Sequence, residues 1–102
     1  MPMALTRVMT APRRLKLYIT LRKRPDTTDE YKKLVLMIED SAHIYELKRR
    51  IEREFAELFP AEPPYVVAKI EDSQGYALSN QSQLRDVSGP NEPLFAHPEA
   101  KT

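Results

Sequence analysis

The sequence has no cysteine, no tryptophan, two glycines and two histidines in 102 residues. Without cysteine there is no disulfide framework, thiolate metal site or cysteine nucleophile, a composition that suits a reducing, intracellular compartment. Two histidines, His43 and His97, are too few for a His-built metal site without carboxylate help, so no metal or other cofactor is expected. Long apolar runs are missing as well. The longest, Leu34–Ile38, has five residues, far short of the ~20 that span a bilayer, so no membrane partner is expected. Residues Met1–Arg14 lack the continuous apolar stretch of a secretory signal.

What is present is a core-sized apolar fraction, 41%, and a divided charge. The net charge is +1, but residues 1–33 carry nine lysines and arginines against three acids, so the remainder is acidic. A bipolar chain points to complementary surfaces more than to a pure nucleic-acid binder.

The hydropathy pattern divides the chain. Leu15, Leu17, Ile19 and Leu21 alternate with Lys16, Tyr18, Thr20 and Arg22, the period of a strand with one wet face. Lys32–Glu39 repeats it, with Leu34, Leu36 and Ile38 inward and Val35 and Met37 outward. Asp40–His43 marks a helix start, with Glu46 three residues beyond His43. Ile44, Leu47, Ile51, Phe55 and Leu58 then form a helical stripe that Phe59 widens. The opposite helix face is charged, Lys48 included. Pro60 and Pro63-Pro64 end the helix. Tyr65–Ile70 reads as a third strand, Tyr76–Leu78 as a short fourth, Leu84–Val87 as a single helical turn, and Pro93–His97 as the last extended run. Residues 1–13 read as a flexible leader, 14–97 as one folded domain and 98–102 as a tail. Elements in the order β-β-α-β-β-β predict an α+β fold, one sheet with one helix laid across its face.

The stretch Ile38-Glu39-Asp40-Ser41-Ala42-His43-Ile44-Tyr45-Glu46-Leu47-Lys48-Arg49-Arg50-Ile51 resembles the strand-to-helix junction of ubiquitin and its relatives. Leu84-Arg85-Asp86-Val87, followed by Leu94-Phe95, resembles the turn before that family's final central strand. The resemblance covers about residues 14–97. It implies a β-grasp fold, a mixed four- or five-stranded sheet whose first and last strands lie side by side in the middle. Lys69–Leu84 is also similar to the acidic motif of Phox-and-Bem-type domains, but only Glu71 and Asp72 supply charge where Gln74, Asn80, Gln81 and Gln83 stand in place of acids. The pattern Gly75-Tyr76-Ala77-Leu78 with Leu84–Val87 resembles the N-terminal ubiquitin-like domains of coilin and of fungal nucleolar proteins that anchor the mitotic-exit phosphatase. That similarity implies a nuclear or nucleolar setting.

The residues argue against two functions that the resemblance raises or permits. Conjugation needs a free Gly-Gly end, and the only glycines are Gly75 and Gly89. General acid-base catalysis needs paired titrating groups in a cleft. Here His43 reads as a helix-start residue, His97 as a strand-end residue and Glu71-Asp72 as a solvated turn. The expectation is therefore a non-enzymatic docking module, the N-terminal domain of a larger scaffold or regulatory protein; the polar ending Lys101-Thr102 suits a domain cut from a longer chain. Tyr18, Val35, Met37 and one of Val66 or Val67 would form an apolar patch rimmed by Lys16, Arg22 and Lys69, with Lys23 and Arg24 steering an acidic protein partner or a second copy. In ubiquitin-like domains the sheet surface is the usual docking face. The same basic strand surface leaves a nucleic-acid partner as the alternative, and the bipolar charge leaves self-association as another.

Overall fold

The computed structural model describes residues 13–25, 27–89 and 91–100; the expected leader lies outside these, apart from Arg13. Strands β1 (Arg14–Arg22), β2 (Glu30–Glu39), β3 (Val67–Glu71) and β4 (Pro93–Pro98) form one sheet in the order β2-β1-β4-β3. Helix α1 (Ile44–Leu58) crosses its face, and α2 (Leu84–Val87) is a single turn. The outer pairs, β1–β2 and β3–β4, are antiparallel, while β1 and β4 run parallel in the centre, with Ile19 beside Leu94 and Thr20 beside Phe95. The expected mixed sheet with its first and last strands in the middle is thus the observed one, and it has four strands. The Tyr76–Leu78 segment contributes only an isolated bridge from Ala77 to Glu71. Gly75 turns that corner at φ +89°, where a Cβ would be strained.

Alternation places the core. Leu17, Ile19 and Leu21 of β1, and Leu34, Leu36 and Ile38 of β2, are buried beneath Ile44, Leu47, Ile51 and Phe55 of α1, joined by Ile70, Leu84, Leu94 and Ala96. Burying side chains of this size is worth roughly 1.5–3 kcal/mol each, which offsets the chain entropy lost on folding. The helix starts where its sequence asks it to. The His43 N–H donates to the Glu46 carboxylate at 2.8 Å, and this bond, with that of the His43 ring, holds the Glu46 carboxyl below its usual range. The α2 segment braces this corner: the Ile44 N–H donates to Ser82 O (2.9 Å) and the Leu84 N–H to Ala42 O (2.9 Å).

Several expectations are corrected. Leu58 leaves the stripe and is 52% exposed. The chain breaks from the helix at Phe59, whose ring turns back to within 5.2 Å of Phe55 and packs on the core in its place. Lys48 is buried although it belongs to the charged face by sequence; its Nζ donates to Ala68 O at 2.9 Å. Tyr65 precedes β3 instead of opening it, and its hydroxyl lies 2.7 Å from Arg22 O and 3.1 Å from Ala96 O. Glu71 is no solvated turn residue: it ends β3 and pairs with His97 and Lys69. Pairing also passes the expected boundary at residue 97, since Pro98 closes β4 and the Glu99 N–H donates to Val66 O.

Candidate interaction surface

Pleating sends every second residue of the sheet away from α1. On this outer face the antiparallel register sets Tyr18 opposite Val35 and Lys16 opposite Met37, and the parallel pair sets Pro93 on the other side of Tyr18. Tyr18, Val35 and Met37 are 39, 45 and 38% exposed, so these large apolar groups are open to solvent on the outer face. The Lys16 ammonium lies 5.6 Å from the Tyr18 ring centroid, a cation on the rim of an aromatic face. Four of the eight expected contact residues therefore form one patch.

The other four do not join it. The Arg22 guanidinium stacks 4.3 Å from the Phe95 ring centroid and donates through Nη1 to Thr28 O at 2.8 Å, so it is committed to the fold. Lys23 and Arg24 sit in the β1–β2 loop, where Arg24 pairs with Asp29 at 3.4 Å. Lys69 lies on β3, two strands over and roughly 16 Å away by strand geometry, held by Glu71 at 3.2 Å. Neither valine of the third run reaches the patch: Val67 is core, and Val66 is exposed beside Pro63 and Pro64. Pro93 and Lys33 are the members that the sequence reading missed. Lys33 lies opposite Thr20, next to the patch; alternation within Lys32–Glu39 already put it on the outer side. Pro93 could be placed only once the β1–β4 register was known.

The remainder of the outer face, apart from Phe95 beneath Arg22, is polar and interlocked. His97 is buried, with Nε2 2.9 Å from Glu71 Oε1, and Lys69 reaches the other carboxylate oxygen. Burial alone would raise the Glu71 carboxyl, but the bonds from His97 and Lys69 outweigh it and hold it below the usual carboxylate range. Among the described residues no group of three or more His, Asp or Glu side chains is placed to hold a metal ion. No described helix is long and apolar enough to cross a membrane.

A single helix across a four-stranded mixed sheet, with antiparallel hairpins flanking a central parallel pair, defines a ubiquitin-like β-grasp protein. The chain belongs to the family described as "Cdc14 phosphatase binding protein N-terminus", whose profile matches residues 31–94. Among solved structures it is similar to a designed protein based on ubiquitin (TM-score 0.61, 15% identity, covering 90% of this chain and 96% of that one). It is also similar to the C-terminal ubiquitin-like domain of mouse tubulin-specific chaperone e (TM-score 0.55, 15% identity, 94% and 97% covered). At such identity these likenesses speak for the fold alone. A search of curated proteins gave no match.

Proposed function

We propose that this domain is a non-conjugating, non-catalytic ubiquitin-like docking module of a nuclear or nucleolar scaffold or regulatory protein, and that it takes part in holding the Cdc14 phosphatase. The family description supports the choice of partner. The observation that carries the docking site is the cross-strand placement of Tyr18 on Val35 and Lys16 on Met37, an apolar centre left open beside cationic neighbours. Lys16 and Lys33 favour an acidic contact segment on the partner.

The test is capture of purified Cdc14 phosphatase by the immobilised domain. Tyr18→Ala combined with Met37→Ala abolishes capture while circular dichroism stays native; undiminished capture would reject this surface. A salt-dependent titration with single-stranded RNA separates the rival class, since micromolar RNA binding that weakens steeply with salt would favour it. Against that rival, Phe95 lies under the Arg22 guanidinium, which leaves Tyr18 as the exposed ring of this face and no run of rings for successive bases.

A further inference from the structure

The loop that joins β1 to β2, residues 23–29, has seven residues, where a hairpin ordinarily turns in about two to five. Its sequence is sorted by charge. Arg22-Lys23-Arg24 leads in, Asp29-Glu30 leads out, and Thr27 and Thr28 stand between them. Counted from Thr27, arginines lie three and five positions before it, and acids two and three positions after it. No other serine or threonine of the chain has arginine at both of those spacings. A protein kinase holds its acceptor segment extended, at roughly 3.3 Å per residue, so a side chain three positions away meets a pocket about 10 Å from the hydroxyl and is selected there by charge. Arginines at these two spacings suit a kinase whose pockets are acidic.

The loop can present such a segment. None of its described residues is buried. The Lys23 N–H donates to Asp29 O at 2.9 Å and closes the base; among the described residues no other backbone–backbone bond falls within the loop. The Asp29 N–H donates to Thr27 Oγ1 at 3.4 Å, and Arg22 Nη1 donates to Thr28 O at 2.8 Å. Both bonds lie at the surface, where water can replace them. The local charges are equally easy to rearrange. Arg24 pairs with Asp29 at 3.4 Å, their side chains 67 and 57% exposed, a contact that holds neither strongly. Among the described residues Lys23 forms no ion pair. A phosphate on Thr27 would have two cations on its N-terminal side, and the Asp29 N–H already faces the oxygen that would carry it.

We propose that Thr27 is a phosphorylation site for an arginine-directed serine/threonine kinase, and that the phosphate draws Arg24 away from Asp29 and takes Lys23 and Arg24 as its counter-ions. In the transfer, Thr27 Oγ1 bonds to the γ-phosphorus of ATP. The bond from that phosphorus to the β,γ-bridging oxygen breaks, ADP leaves with the electron pair, and the hydroxyl proton goes to the base of the kinase. Residues 22–30 hold three cations and three acids, so the modification turns a neutral loop into one of about −1.5 to −2. Asp29 and Glu30 oppose the new charge, and the charge-assisted bonds from Lys23 and Arg24 offset that repulsion. This inference does not rest on the docking role of the Tyr18 patch, so either can fail without the other.

The test incubates the folded full chain with ATP and a purified kinase selective for arginine three and five positions before the acceptor, and in parallel with a kinase selective for acids after it. Mass spectrometry of the first reaction finds one phosphate, on Thr27. Thr27→Val abolishes incorporation and Thr28→Val leaves it unchanged. Arg24→Ala slows it about tenfold or more, and because Arg24 is on the surface, unchanged circular dichroism verifies the fold. In a phosphorus NMR titration the phosphate on the folded chain loses its second proton at lower pH than the same phosphothreonine in a free peptide of residues 25–31, since neighbouring cations favour the doubly charged form. No incorporation into the folded chain, phosphate on Thr28 or Ser88 instead, an unchanged rate in Arg24→Ala, transfer by the acid-directed kinase alone, or a second ionisation no lower than that of the peptide would each overturn the proposal.

Discussion

His97 Nε2 and Glu71 Oε1 meet at 2.9 Å across the β3–β4 pair, in a chain where 26 positions separate them. Lys69 holds the second carboxylate oxygen at 3.2 Å, and this set fixes the half of the outer face that the Tyr18 patch leaves polar.

The Glu71 contacts make stability pH-dependent on the acid side. Its folded carboxyl lies below the ordinary 4.5, so the stabilisation is fully present above that value and is lost as pH falls through the lower, folded one. Glu71→Gln costs about 1–2 kcal/mol near neutral pH. In urea titrations the gap between wild type and variant stays constant above about pH 5 and closes in acid. A gap that stays open in acid would show that shape, not charge, makes the contact.

Tyr65 joins two strands through one hydroxyl, which faces the carbonyls of Arg22 and Ala96. Burial is the main reason its phenol is raised above the usual 10.0. Tyr65→Phe removes the bond and leaves buried carbonyl groups short of a donor, a loss of about 1 kcal/mol. Thermal melting falls by about 5 °C for a domain of this size. In an alkaline absorbance titration the variant lacks the last tyrosine to ionise.

Phe55 is fully buried and touches three other rings, Tyr31 at 5.8 Å, Tyr65 at 5.4 Å and Phe59 at 5.2 Å between centroids. Phe55→Ala opens a cavity worth about 3–5 kcal/mol, a large share of the total for a small domain. The urea midpoint drops accordingly, whereas Leu58→Ala, on the exposed last turn, costs under about 0.5 kcal/mol. Equal effects at the two positions would contradict the helix placement.

The helix and the first hairpin were legible because period carries burial directly: Leu17, Ile19, Leu34, Leu36, Ile51 and Phe55 all follow their spacing into the core. Leu58 obeys the same spacing and fails, because Phe59 leaves helical geometry one residue later and fills the space instead. Lys48 looked solvated because its charge hides a long apolar stem that can lie in the core while the ammonium finds a carbonyl. The patch was half legible. Tyr18, Val35, Met37 and Lys16 share a face through alternation within a hairpin, a local property. Pro93, His97 and Glu71 depend on registers between strands far apart in the chain, and no local pattern specifies those.

The central parallel pair brings Ile19 against Leu94, residues 75 positions apart. Closing a loop of that length is entropically slow and is rewarded only when both strands are present. A ribosome-bound chain emerging residue by residue would therefore carry the first hairpin and the helix as an incomplete sheet with part of its apolar face uncovered. Only when the last strand slots into the middle does the sheet become one cooperative unit, which makes late synthesis the vulnerable moment for this domain.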